Sequence, residues 1–226
     1  MESLKFYGPR VSTYCRICEV VAEEKGVPWE NIPTDSKDPA HRARHPFGRA
    51  PALEYKGEYG DVKLYEALAI ATWIDGSFGA PNTLQPQDPL ARAHMLRWVN
   101  IVDHYLFPVI EHEFVMPWVV ARLVGAVPDR ERAQKSIGPI GLLLDIPQGE
   151  LADGRTWLAG DDFSFADIWL AATLEGLAAD QAGRDLISHR PALEKWLSTV
   201  RARKSWQATT PDLSTFPGFK NFVGGA

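Results

Sequence analysis

Along the first 78 residues the hydrophobic pattern switches between a two-residue and a helical period. Leu4-Lys5-Phe6-Tyr7 alternates over a short run and stops at Gly8-Pro9, which predicts a strand and its end. From Thr13 to Lys25 the apolar positions Tyr14, Cys18, Val21 and Ala22 share one helical face. Arg16, Glu19, Glu23 and Glu24 crowd the other face, and Gly26 stands where a C-cap belongs. A short extended stretch follows at Trp29 to Pro33, then a weak helix at Pro39 to Arg44. Pro51 to Tyr55 and Val62 to Leu64 predict a hairpin around Gly57 to Gly60, and a helix from Glu66 to Phe78 closes the segment. The order is βαβ followed by αββα.

Gly79-Ala80-Pro81-Asn82 and Gln85-Pro86-Gln87-Asp88 are polar and proline-rich, so 80–88 predicts a linker between a first domain at 1–79 and a second at 89–226. Beyond Pro89 only helical periodicity remains. One long pattern runs from Pro89 to about Gly125, with kinks or a break expected at Pro108 and Pro117. A second runs from Asp129 to Leu144, interrupted at Gly138-Pro139; others begin at Ser164 and Pro191. Ser164 and Asp167 have the spacing of a capping box, and the apolar run Ile168 to Leu174 behind them marks a buried helix. The tail from Thr209 to Ala226 predicts irregular chain.

Composition narrows the classes. The chain has 226 residues, 24 Lys plus Arg against 29 Asp plus Glu, a net charge of −5, 45% hydrophobic and 23% charged residues. That is globular and mildly acidic, and with no dominant basic cluster a nucleic-acid role is disfavoured. Met1 to Tyr7 lacks the basic and apolar regions of a secretory signal, and no apolar run reaches the ~18 residues of a membrane span. The two cysteines, Cys15 and Cys18, are too close together to staple distant elements. A reducing, cytoplasmic setting is the expectation.

Several residues have the chemistry of a site. Ser12, at the expected start of the first helix, can act as a plain N-cap or donate to an anion favoured there by the helix dipole. Cys15-Arg16-Ile17-Cys18 is a literal CxxC, but its helix has already begun at Cys15 and Cys18 falls on the apolar face. Two buried structural cysteines are therefore expected rather than a redox pair. His45 to Leu53 is a loop entering a strand, with Pro51 at a place where a cis peptide would be a turn feature. Glu66-Ala67 opens a helix whose amides point outward to a carboxylate; Glu66 could equally be a surface acid complementing the dipole. His104 and His112 share the long helix with Tyr105, Phe107, Phe114 and Trp118, as a pocket wall or a packed face. No zinc motif, phosphate loop or nucleophile elbow is present, and no metal site is expected.

Taken together these segments resemble the cytosolic glutathione transferases over essentially the whole chain, and the serine-type phi and theta-like classes and their bacterial relatives in particular. Phe6-Tyr7-Gly8-Pro9-Arg10-Val11-Ser12-Thr13 is similar to Val-Tyr-Gly-Pro-x-x-Ser-Thr. Lys37 to Leu53 resembles Lys-Ser-Pro-Glu-His-Leu-Ala-Arg-Asn-Pro-Phe-Gly-Gln-Val-Pro-Ala-Leu, and Tyr65 to Ile70 resembles Phe-Glu-Ser-Arg-Ala-Ile. Phe163 to Ile168 looks like the family's capping box.

The resemblance implies an α/β thioredoxin-like N-terminal domain, an all-α helical-bundle C-terminal domain and usually a homodimer. It implies glutathione as co-substrate, no metal, and a small hydrophobic electrophile as the second partner, with conjugation, dehalogenation or isomerisation as outcomes. Ser12 would donate to the glutathione sulfur, with Tyr7 as runner-up. Lys37 and Arg49 would meet the glycyl carboxylate, and Ala50 before cis-Pro51 would pair with the cysteinyl backbone. Glu66 would hold the γ-glutamyl amine, the amides of Glu66 and Ala67 lying near the α-carboxylate. Tyr105 and His112 are the candidates for the electrophile pocket. Two positions depart from the pattern: Ala67 replaces a serine and His45 an asparagine. A glutathione-dependent thiol oxidoreductase using Cys15, and a non-catalytic binding protein of the same fold, are the alternatives.

Overall fold

The computed structural model describes residues 3–35, 37–79 and 83–218. The linker positions 80–82 and the tail 219–226 lie outside the described residues. Two compact units form: residues up to Gln85 together with Arg203–Pro211, and Pro86–Ala202 together with the residues from Asp212 onward.

In the first unit β1 (Leu4–Tyr7) leads into α1 (Thr13–Glu24), then β2 (Trp29–Ile32), α2 (Pro39–Arg44), β3 (Ala52–Gly57), β4 (Gly60–Tyr65) and α3 (Ala67–Ser77). The four strands make one sheet in the order β2-β1-β3-β4, with β1 parallel to β2 and antiparallel to β3, and β3 antiparallel to β4. The hairpin is longer than its apolar run, because pairing extends to Gly57 opposite Gly60 and the positive φ of Gly60, 88°, lets the chain turn there. α1 and α3 pack together, burying Ile17, Val20, Val21, Ile70 and Ile74 completely alongside Leu4, Phe6 and Leu53.

At the far end of α1, buried Lys25 pairs with buried Asp75 of α3 at 3.1 Å. Asp75 also accepts from the Leu84 N–H at 2.9 Å and from Gln85 Nε2 at 3.2 Å, which anchors the chain leaving the unit. Such a charge is tolerable only because every partner is present.

In the second unit α4 (Pro89–Ile101), α5 (Phe107–Ile110) and α6 (Ala121–Leu123) form one helical run with two π-helical segments, Val102–Leu106 and Glu111–Val120. At Pro108 and Pro117, where kinks or a break were expected, the run continues unbroken and widens into π-turns. Phe107 N bonds Val102 O and Ala121 N bonds Met116 O, an i to i−5 pattern that accommodates residues an α-turn cannot. α7 (Arg130–Leu151) likewise runs unbroken through Pro139 and Pro147, beyond the expected end at Leu144. The buried seam of Ile140, Leu144 and Leu151 holds it in register.

α8 (Phe165–Ala178) is the centre of this unit, with Phe165, Ile168, Trp169, Leu170 and Leu174 fully buried. Asp167 completes the capping box by accepting from the Ser164 N–H at 3.0 Å. It also accepts from Leu158 N and from Trp196 Nε1, both at 2.8 Å. α9 (Gln181–Ser188), unrecognised in the sequence, starts at an Asp180 cap, and α10 (Pro191–Arg201) packs on α7, α8 and α9.

α11 (Lys204–Ala208), also unrecognised and within the stretch assigned to the helical domain, belongs to the first unit. Arg203 makes a two-pronged bond to Glu24 at 2.9 and 2.7 Å, and Ser205 joins the same carboxylate. Trp206, 2% exposed, lies under the Arg16 guanidinium at 4.3 Å. Arg16 also donates to Trp206 O at 3.2 Å, so the returning segment is clasped to the helix that begins after Ser12. Among the described residues no helix is long and apolar enough to cross a membrane.

Candidate active site

The start of α1 is built by Ser12, whose extended backbone (φ −70°, ψ 123°) and side chain cap the helix. Its hydroxyl oxygen accepts from Cys15 N at 3.3 Å. A capping oxygen spends one lone pair on the amide and keeps its proton for another partner. Just before it, Gly8 ends β1 in a crowded spot: a β-carbon there would collide with Cys15 Sγ and with Ala50 Cβ. Only a glycine lets the end of β1, the first turn of α1 and the Ala50 loop meet. The Ala50–Pro51 peptide is cis. The structure thus brings Cys15, from the helix that Ser12 caps, and Ala50, from the loop entering cis-Pro51, together around Gly8.

Cys15 and Cys18 are free and fully buried. Burial pushes the Cys15 thiol up to about 12, an effect the hydrogen bond from Ser12 only partly offsets, and burial pushes Cys18 well above its ordinary value. Cys18 Sγ donates to Ala67 O at 3.7 Å, tying α1 to the start of α3. Both are the structural cysteines expected from their register.

Tyr7 is 8% exposed and donates its hydroxyl to Glu54 Oε2 at 2.9 Å under the Arg44 guanidinium, 4.1 Å from the ring centroid. Burial, then the bond to Glu54, raises its phenol. Arg44 donates to the other Glu54 oxygen at 3.0 Å, completing a three-residue cluster that sequence reasoning missed. No local motif announces it, because the partners come from three elements.

Lys37 stands exposed, its backbone N–H bonded to Asp35 Oδ1 at 2.8 Å. Arg49 is exposed too, and its carbonyl accepts from buried His41 Nε2 at 2.7 Å, which fixes the loop feeding cis-Pro51. Glu66 has a φ of +74°, the one non-glycine residue with positive φ among those described, and precedes α3 with its side chain 62% exposed. A non-glycine residue in that region is strained, and such strain gathers where a group must point one way. Behind it, His45 Nε2 lies 3.7 Å from Glu66 Oε1. Ala67 is 7% exposed and has no hydroxyl to offer.

In the second unit Tyr105, 63% exposed, and His112, also exposed, lie on the two π-helical segments, with His112 edge-on to Phe107 at 5.9 Å. Neither is packed into that unit's core. Among the described residues no group of three or more His, Cys, Asp or Glu side chains is placed to hold a metal.

A four-stranded βαβ–ββα sheet with a cis-proline beside a serine-capped helix, followed by an all-helical unit, defines a thioredoxin-like module joined to a helical partner. Residues 6–82 match the family model for the glutathione S-transferase N-terminal domain, and residues 98–204 match that for the C-terminal domain. The chain belongs to the glutathione S-transferase family. It is 29% identical to glutathione S-transferase 3 of Zea mays over 92% of this chain and 94% of that one. It is 27% identical to a glutathione S-transferase of Hyoscyamus muticus over 90% and 95%. Among solved structures, apo glutathione S-transferase III superposes with a TM-score of 0.80 at 29% identity, covering 95% of this chain and 97% of that one. Glutathione transferase F7 of Populus trichocarpa gives 0.79 at 28% identity, covering 91% and 97%.

Proposed function

We propose that the protein is a glutathione transferase in which the Ser12 hydroxyl donates to the sulfur of glutathione and holds it as the thiolate that attacks a small hydrophobic electrophile. The observation that carries this reading is the seat of Ser12: its oxygen caps α1 at the Cys15 amide, and the Cys15 thiol and Ala50, the residue before cis-Pro51, crowd the same glycine, Gly8. A neutral Cys15 thiol is a weak acceptor for the hydroxyl proton, whereas a glutathione thiolate is a strong one, so the bond turns to the ligand when it arrives. The positive end of α1 adds to the preference for the anion. Tyr7 is a poorer donor here, since its hydroxyl is already given to an anionic Glu54.

Around the sulfur, Lys37 and Arg49 receive the glycyl carboxylate, and the Ala50 backbone pairs with the cysteinyl group. Glu66 takes the γ-glutamyl ammonium, with the Glu66 and Ala67 amides at the neighbouring carboxylate. Tyr105 and His112 belong to the electrophile pocket, where a phenol and an imidazole serve a leaving group or oxyanion. The protein works as a homodimer in the cytoplasm, in detoxification, without a metal. The oxidoreductase alternative is weakened by the burial that keeps the Cys15 thiol protonated at neutral pH. The purified protein should be retained on immobilised glutathione and conjugate a reference electrophile. Retention without turnover of any electrophile would favour the non-catalytic reading, and a glutathione mixed disulfide at Cys15 the redox one.

A further inference from the structure

The residue following α2 is His45, 1% exposed, whose amide closes that helix by donating to His41 O at 2.9 Å. Its ring is walled by Tyr65 of β4 at 4.9 Å, by Phe47 edge-on at 6.3 Å and by His41 at 6.4 Å. Nε2 emerges from this wall toward Glu66 Oε1, 3.7 Å away, while Nδ1 is buried. Glu66 itself is turned outward by its positive φ, so its carboxylate has solvent on one side and the imidazole on the other.

We propose that His45 is a positioning residue for Glu66: its neutral imidazole steadies the carboxylate for the ligand's ammonium, and a proton on it competes with that ammonium. This rests on the glutathione reading above. The argument is electrostatic. One carboxylate can satisfy one neighbouring cation well, and a second cation within ~4 Å of the same group is repelled by the first. The groups facing His45 are Glu66 at the head of α3, His41 on α2, Arg49 on the following loop and the Tyr65 ring of β4. Burial above all, with His41 and Arg49, disfavours the imidazolium, whereas Glu66 and a backbone contact favour it, and the balance lowers the His45 pKa. At neutral pH the imidazole is therefore uncharged and the carboxylate is open to an ammonium. As the pH falls, the proton and the ammonium become rivals.

The probe is S-methylglutathione, which keeps the γ-glutamyl group and has no thiol to ionise. Its Kd is measured by calorimetry from about pH 5 to 7.5 on the wild type, His45→Asn and His45→Gln. The wild-type Kd should weaken about fivefold or more toward low pH, and both variants should stay within about twofold across the range, because the competing cation is gone. Linkage supplies a readout that needs no variant: the His45 imidazole, followed by NMR in the wild type, must titrate at lower pH in the saturated complex than in the free protein. An imidazole that titrates at the same or higher pH when bound overturns the proposal, as does a pH profile equally steep in wild type and variants. If the wild type binds no S-methylglutathione at any pH, the glutathione reading itself falls and takes this inference with it.

Discussion

Replacing Gly8 by alanine tests how tightly the site is assembled. The added carbon would meet Cys15 Sγ and Ala50 Cβ well inside contact distance. Neither neighbour can swing away: Cys15 is fully buried in the core, and Ala50 Cβ is fixed to the backbone beside a cis peptide. Relief requires shifting the first turn of α1 away from the Ala50 loop. Overpacking of this kind costs about 1–3 kcal/mol. For a chain of this length that lowers the melting temperature by roughly 2–4 °C per kcal/mol, so a fall of about 2–12 °C is expected. The same displacement separates Ser12 from Ala50, so glutathione affinity should drop together with stability. Cys15→Ala removes one collision, and the double variant should be less damaged than the sum of the two single changes. Calorimetric melting and glutathione titration of the four proteins measure both effects. A Gly8→Ala protein with unchanged melting temperature and affinity would refute the packing argument.

Other consequences follow from single groups. Burial raises the Glu111 carboxyl from 4.5 to about 7; the folded state thus holds its proton more tightly than the unfolded chain, and stability is lost as pH rises between those values. Glu111→Gln should remove that loss, leaving the variant more stable than the parent at pH 8 by on the order of 2–3 kcal/mol in denaturant titrations. Asp167→Ala, which leaves the Leu158, Ser164 and Trp196 donors without their acceptor, should cost about 3 kcal/mol or more and show it as a reduced urea midpoint. The Cys15→Ala, Cys18→Ala protein should turn over at close to the parental rate despite some loss of stability. Trp206→Ala should release 203–211 from α1, speeding amide exchange in α1 while the helices of the second unit keep their protection.

How much of this was legible before the fold is clearest from individual residues. The first strand, the short helix at Pro39–Arg44 and the Ser164–Asp167 box carry local signals, namely alternation, caps and spacing, and they stand where those signals point. The burial of both cysteines also followed from position, and the cis peptide before Pro51 from the family resemblance. The prolines at 108, 117 and 139 do not break their helices, because tertiary packing and π-turns carry the chain past their missing donors. The Tyr7–Glu54–Arg44 cluster and the Arg16–Trp206 clasp were invisible, since their partners lie tens to nearly two hundred residues apart. His45 was visible only as a departure from a pattern; its nearness to Glu66 needed the turn at the head of α3.

The central claim is that Ser12 holds glutathione as a thiolate. A charge-assisted hydrogen bond contributes about 1.5–3 kcal/mol, which lowers the thiol pKa by about one to two at ~1.4 kcal/mol each. The direct measurement is the ultraviolet thiolate absorbance of bound glutathione as a function of pH, in the parent, Ser12→Ala and Tyr7→Phe. Ser12→Ala should stay folded and bind glutathione, yet move the thiol's titration upward by about one to two, while Tyr7→Phe leaves it in place. An unchanged titration in Ser12→Ala, with the thiolate lost in Tyr7→Phe, would contradict the account and make Tyr7 the activating group.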